Sequence, residues 1–394
     1  MTTPCRLNTI TDFFLYTTLL GKSETVSICY REGRMRHKSC WIRFSIRYRQ
    51  SCGEQETLRA ARLHQIGKPL RIDEVLRPKV LGSEVLIRIA GAGVCHPDVH
   101  FRSGRVPLPE EFSLPLTLGH ENAGFVEEVG PLVRGAAKGD AIAVWGGQGC
   151  GICRVCHQAD QQLCGMGNWI IGGYAEFMRV PHERFLVKLD GLDPVEAAPL
   201  TGAGLTPYRA IKKAFPYLYP GAFAVVIGVG GLGHMAVQLL TTLAPWAHTI
   251  AVDVSDDKLA LASELGAALV VDGRQNAASE IMKITGGEGA HATIDLVGID
   301  STLSTAASVA ARKGIVVVVG AGGGTLPFSF FGLPAESVVT TSYWGSYNEL
   351  VELLALAAQG TIRPIVHRFP LEEVNDLLDR LERGKLTGRA VLVP

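Results

Sequence analysis

The chain has 394 residues, with 38 Lys+Arg balanced by 38 Asp+Glu, nine cysteines and 47 % hydrophobic side chains. A net charge of zero excludes the electrostatic footprint of a nucleic-acid binder or a polybasic membrane-surface protein, and the length suits two domains with buried cores. Charged residues make up only 19 % and Val, Ile and Leu are abundant, which excludes a disordered chain; 45 glycines in so apolar a sequence point to an α/β protein with tight turns.

The first 57 residues differ from the rest. They carry nine Lys+Arg against five Asp+Glu, while residues 58–394 carry 29 against 33, and they hold Cys5, Cys29, Cys40 and Cys52. The arginines between Arg31 and Arg49 are compatible with an organelle transit sequence, but the acidic residues speak against it, and a secretory signal lacks its compact apolar core here. The expectation is an N-terminal extension outside the fold, an appendage or a stretch translated from a misplaced start, with residues 58 onward as the protein proper.

From Ala60 come short apolar runs at 85–90, 124–129, 140–144 and 173–180, separated by Gly and Pro, as in a mostly antiparallel β-domain. After Thr201 the texture changes to strand-like pieces at 224–227, 249–252, 269–271, 292–296 and 314–319 alternating with helical ones such as 258–265, which predicts a doubly wound parallel sheet. Two amphipathic helices at 349–358 and 371–383 and a strand at 389–393 end the chain. Residues 222–243 are almost uncharged and long enough to span a bilayer. A strand, a glycine turn and a helix explain the same letters, so no membrane span is expected and the default location is the cytoplasm.

The strand at 224–227 runs into Gly228-Val229-Gly230-Gly231-Leu232-Gly233 and then a helical run, and Asp253 ends the next strand 20 residues after the last glycine. This is the dinucleotide fingerprint in its required context. Gly228 permits the tight turn, Gly230 lets backbone approach a pyrophosphate, and Gly233 lets helix pack on strand. The helix N-terminus favours phosphate, and a carboxylate at Asp253 favours NAD over NADP.

Cys150, Cys153, Cys156 and Cys164 place four thiols within 15 residues, a spacing that suits a closed, structural tetrahedral zinc. Disulfides and free buried cysteines are the competing readings, disulfides being disfavoured without an export signal. Cys95, with His96, Asp98 and His100 around it, and His120-Glu121 offer a thiol, imidazoles and carboxylates for a second, open zinc site acting on an alcohol oxygen.

The motifs GVCHPDVH (93–100), GHENAG (119–124), the four-cysteine lobe, AAPLTGAGLTPY (197–208), VIGVGGLGH (226–234) with Asp253, and the terminal GRAVLVP, in this order, make residues 58–394 resemble the zinc-containing medium-chain alcohol dehydrogenases. The resemblance implies a GroES-like catalytic domain at 58–203 and 345–394, split by a Rossmann domain at 204–344. It implies an NAD-dependent, zinc-assisted oxidoreductase that interconverts small alcohols with aldehydes or ketones, as a homodimer or homotetramer. It further implies Cys95 and His120 as catalytic zinc ligands, Glu121 as a carboxylate able to approach the metal, and Asp98 as the acid orienting the histidine. His100 would be the outer base of a proton relay. His96 and Arg389 would contact the pyrophosphate, Lys258 the adenosine ribose, and Thr206 the nicotinamide surroundings.

Two positions depart from that pattern. The third zinc ligand aligns with Gly202, and the relay hydroxyl aligns with Pro97. The catalytic zinc is therefore expected to bind more weakly than the structural one, with near one zinc per chain after mild chelation, and Gly202→Asp is expected to raise activity by restoring a ligand. A zinc-independent quinone or alkene reductase and an NAD-binding pseudoenzyme remain the alternatives. Trp145, Trp169 and Phe101 are candidate pocket residues, equally compatible with core.

Overall fold

The computed structural model describes residues 56–109 and 112–394, and by backbone alone the strands Phe14–Leu20, Ser23–Cys29 and Ile42–Phe44. The chain divides into two compact units, residues 1–55 and 56–394. In the first, the three strands form an antiparallel sheet in which Phe14 registers with Cys29 and Leu20 with Ser23. The sequence alone predicts no folded unit here; Thr, Val, Ile and aromatic letters concentrated in these segments favour extended backbone. The segment's cysteine and arginine side chains lie outside the described residues.

The second unit carries two large sheets. One has seven strands. Leu186–Lys188, Ala141–Val144, Glu121–Val129, Val85–Gly93, Arg389–Val393 and Val366–Pro370 lie in that order, and Phe177–Val180 also pairs with Val85–Gly93. Val391 and Leu392 pair antiparallel with Gly93 and Ala92. The chain's last strand thus returns to the sheet that its earlier part built, bringing Arg389 beside Gly93 and Glu121.

The other sheet has six parallel strands in the spatial order Leu269–Asp272, His248–Asp253, Phe223–Ile227, Ala290–Asp295, Ala310–Val318, Val338–Thr341. In chain order this is 3-2-1-4-5-6, the doubly wound arrangement whose ligand crevice lies where the order reverses. Strand Phe223–Ile227 has neighbours on both sides and is buried along Ala224 to Ile227, as its unbroken apolar letters require. The stretch 222–243 resolves into this strand and the helix Gly233–Leu243. No helix among the described residues is long and apolar enough to cross a membrane.

Candidate active site and metal lobe

Cys95 caps the helix His96–Ser103, and His120 and Glu121 lie at the start of the strand Glu121–Val129. Glu121 pairs across the sheet with Gly93, two residues before Cys95. All three side chains are buried, and one donor atom from each lies within 4.8 Å of the others. A thiolate, an imidazole and a carboxylate at this spacing fit a zinc ion with room for an oxygen ligand.

The surroundings are anionic and fully built. Asp98, 1 % exposed, accepts from the Gly119 N–H at 3.1 Å and the Tyr174 hydroxyl at 2.9 Å. Its Oδ2 stands 3.3 Å from His120 Nδ1, close enough for charge to act, though not in line for a hydrogen bond. Burial works against a charged His120, but Asp98 and Cys95 outweigh it and hold the imidazole's pKa well above its ordinary value. The same negative neighbours favour a divalent cation beside His120.

Glu121 is held from two sides. Oε1 accepts the Ala203 N–H at 2.8 Å, and Oε2 pairs with the Arg389 guanidinium. Arg389 is itself only 2 % exposed; burial opposes its charge, and Glu121 and Cys95 overcome that to raise its pKa. On its other side, a β-carbon at Gly231 would collide with Arg389 Nη1. One guanidinium therefore lies against both the metal-site carboxylate and the glycine-rich loop.

The absent ligand at position 202 has a structural reason. A β-carbon there would lie 2.5 Å from Glu121 Oε1 and 2.7 Å from its Cγ. Glu121 already fills the space, which corrects the expectation that Gly202→Asp simply restores a ligand. Pro97 sits in the first turn of its helix, where a missing N–H costs nothing, and supplies no hydroxyl.

In the dinucleotide loop, Gly228 has φ +92°, a β-carbon at Gly233 would strike the Gly228 carbonyl, and the space above Gly230 is open. Asp253 ends its strand with Oδ2 accepting from Val229 N–H at 2.7 Å and Oδ1 from Ser255 N–H at 3.0 Å. Its carboxylate is thus fixed at the rim of the loop. Lys258 lies in the following helix Asp256–Glu264. Thr206 donates its backbone N–H to the Gly202 carbonyl at 2.9 Å. His96 and His100 stand on one helix with ring centres 6.3 Å apart, and the Nδ1 of His100 is buried without a partner. Burial and the Arg105 charge lower the pKa of His100.

The four lobe cysteines are free thiols whose sulfurs all lie within 4.8 Å. Cys153 and Cys156 are 3.4 Å apart, Cys153 and Cys164 3.7 Å, and Cys150 and Cys156 3.9 Å. Tetrahedral zinc with bonds of about 2.3 Å needs sulfurs roughly 3.8 Å apart, so the lobe fits a closed metal site.

Of the aromatic candidates, Trp145 is core: it is 2 % exposed and donates to the Gly345 carbonyl at 3.0 Å. Trp169 and Phe101 stand near His120, Trp169 directly and Phe101 through Trp169. Two residues that no sequence motif marks, Tyr174 and Trp344, complete the surroundings. The Trp344 ring lies 6.2 Å from that of His120.

Two domain families match parts of the chain. Residues 82–191 match the alcohol dehydrogenase GroES-like domain, and residues 231–359 match the zinc-binding dehydrogenase domain. An NAD-dependent alcohol dehydrogenase of Sulfurisphaera tokodaii is 43 % identical over 350 residues, covering 86 % of this chain and 100 % of the relative. Another of the same description from Saccharolobus solfataricus is 40 % identical with the same coverage. The crystal structure of the alcohol dehydrogenase from Aeropyrum pernix superimposes with a TM-score of 0.80 at 43 % identity, over 86 % of this chain and 100 % of that one.

Proposed function

The chain belongs to the zinc-binding alcohol dehydrogenase family, and from that membership we propose that Cys95, His120 and Glu121 hold its catalytic zinc against the cofactor loop. It is an NAD-dependent oxidoreductase that moves a hydride between an alcohol and the nicotinamide. Bound zinc supplies a Lewis acid that acidifies the alcohol hydroxyl, and bound NAD accepts the hydride.

The observation that carries the assignment is Arg389, buried between Glu121 and Gly231. It joins the donor set to the dinucleotide loop within one side chain. Asp98 stands behind His120, and Tyr174 and the Gly119 N–H hold the Asp98 carboxyl in place. Gly228, Gly230, Gly231 and Gly233 bind the pyrophosphate with Arg389 and His96, Asp253 and Lys258 hold the adenosine ribose, and Thr206 flanks the nicotinamide. His100 takes the proton outward; with Pro97 in place of a hydroxyl, the side chain at that step is absent. Cys150, Cys153, Cys156 and Cys164 hold the structural zinc, which requires reduced thiols and favours the cytoplasm.

The division into a catalytic part, 58–203 with 345–394, and a cofactor part, 204–344, is supported by the two separate sheets. Self-association as a dimer or tetramer is supported by the strand Val338–Thr341, which lies at the edge of its sheet among the described residues, and by the exposed Phe328, Phe330 and Phe331 preceding it. NADH formation from a panel of primary, secondary and aryl alcohols, with and without added zinc, tests the activity. Turnover that depends on zinc supports the assignment, and none under any condition contradicts it.

A further inference from the structure

The helix Gly233–Leu243 opens at the glycine loop, and its residues 233–240 are all buried. Two of them are polar. His234 and Gln238 stand one turn apart on one face of the helix, and both direct their side chains at one short stretch of backbone, residues 363–365, which leads into the strand Val366–Pro370. Gln238 grips Arg363 twice: its Oε1 accepts the Arg363 N–H and its Nε2 donates to the Arg363 carbonyl, each at 3.0 Å. His234 Nε2 accepts the Ile365 N–H at 3.3 Å. A backbone N–H can only donate, so in the neutral ring the proton lies on Nδ1, which stands 3.2 Å from the Gly230 carbonyl and donates to it.

The connection continues beyond Ile365. Its carbonyl accepts the Arg389 N–H at 2.7 Å, and a β-carbon at Gly388, where φ is +70°, would lie 2.6 Å from that oxygen. Glycine at 388 is what lets the last strand start here. Arg389 in turn pairs with Glu121. An unbroken series of hydrogen bonds therefore runs from the Gly230 carbonyl through His234, the Ile365 backbone and Arg389 to Glu121. The side chains in it are rigidly enclosed, none of the three being more than 2 % exposed.

This series joins two separate sheets. The loop Gly228–Gly233 follows a strand of the parallel sheet, whereas residues 363–365 lead into a strand of the seven-stranded one. Hydride transfer requires the two carbons at contact distance, and a misplacement of about 1 Å costs on the order of 100-fold in rate. Glycines have no side chains with which to fix that distance.

We propose that His234 and Gln238 are positioning residues for hydride transfer, which hold the cofactor loop at one distance from Cys95, His120 and Glu121 by gripping residues 363–365. This rests on the alcohol dehydrogenase reading. Both residues act through the loop and the 363–365 backbone, so the test separates the reaction step from cofactor and metal binding.

The experiment compares the full chain with Gln238→Ala, His234→Ala and His234→Gln. Three quantities are measured for each: NADH affinity by fluorescence titration, zinc per chain, and the single-turnover rate of NADH formation from ethanol and from benzyl alcohol, each also in its α-dideuterated form. Gln238→Ala releases Arg363 and leaves the bond from His234 to Gly230 in place. The isotope-sensitive rate is expected to fall about tenfold in Gln238→Ala and about 100-fold in His234→Ala, while NADH affinity stays within about threefold of the unmodified chain and zinc is unchanged. His234→Gln restores an acceptor for the Ile365 N–H and recovers most of the lost rate. An unchanged rate in folded, zinc-replete alanine variants overturns the proposal. So does a rate that falls only as far as NADH affinity or zinc content falls, which makes the two residues supports of the loop or of the metal site. If His234→Ala does not fold, Gln238→Ala decides the question by the same comparison. Failure of the unmodified chain to oxidise any alcohol overturns the activity itself, and is distinct from these results.

Discussion

A β-carbon on Gly202 would stand 2.5 Å from the Oε1 of Glu121. The two positions are therefore alternatives for one volume beside Cys95 and His120. With glycine at 202, the strand residue Glu121 occupies the space and brings its own carboxylate to the donor set, preserving one thiolate, one imidazole and one further anion. Gly202→Asp forces two side chains into that volume. The expected outcome is a loss of stability of roughly 1–3 kcal/mol, as for other overpacked cores, with less zinc bound. Adding Glu121→Ala to Gly202→Asp relieves the crowding. Thermal denaturation and metal content of the single and double variants check this.

Tyr174 and Asp98 define a second test. The Tyr174 hydroxyl donates to Asp98 Oδ2 at 2.9 Å, and the same oxygen faces His120 Nδ1. Tyr174→Phe removes the donor without opening a cavity, leaving a buried carboxylate with one partner fewer. Catalytic zinc affinity is expected to fall by about 10–100-fold, the usual effect of losing support behind a metal ligand. Titration with a zinc chelator reads this directly, and an unchanged affinity removes Tyr174 from the site.

In the proposed function, Asp253 sets the choice of cofactor; its carboxylate is pinned by the Val229 and Ser255 amides. Asp253→Ser removes the charge that pairs with ribose hydroxyls and repels a 2′-phosphate. The affinity for NADH should fall and that for NADPH rise. Fluorescence titration with both dinucleotides checks the exchange.

His234 gives the fold a pH dependence. It is buried, its Nε2 accepts the Ile365 N–H at 3.3 Å, and burial, only partly offset by the nearby Gly230 carbonyl, pulls its pKa down to about 4. The unfolded chain binds a proton near pH 6.5 while the folded one does not, so between these values the unfolded state holds more protons and stability rises with pH. This contribution is complete above about pH 6.5 and falls by about 1.4 kcal/mol per unit as pH drops towards 4. Denaturant unfolding at several pH values should show that slope in the unmodified chain and a shallower one in His234→Gln.

Much of the fold and the site is legible in the letters because the relevant signals are local. The glycine loop, Asp253 and the four cysteines depend on spacing within a few residues, and the strand-to-helix reading of 222–243 follows from the same glycines. What is not legible depends on contacts between distant positions. Tyr174 meets Asp98 across 76 positions, and Trp344 meets Thr201 across 143. Gly202 reads as a missing ligand until Glu121 is seen in its place. Trp145 and Trp169 look alike as letters; only packing makes one core and sets the other beside His120.

Zinc per chain in the unmodified protein, in Glu121→Gln and in Cys95→Ser tests the central claim most directly. Glutamine keeps the shape of the buried side chain while removing the charge. The unmodified protein is expected to carry two zincs, of which a mild chelator removes the catalytic one first, and each variant is expected to carry one, held by the four-cysteine lobe. Two zincs retained in either variant would contradict the assignment of Cys95, His120 and Glu121 as the catalytic metal site.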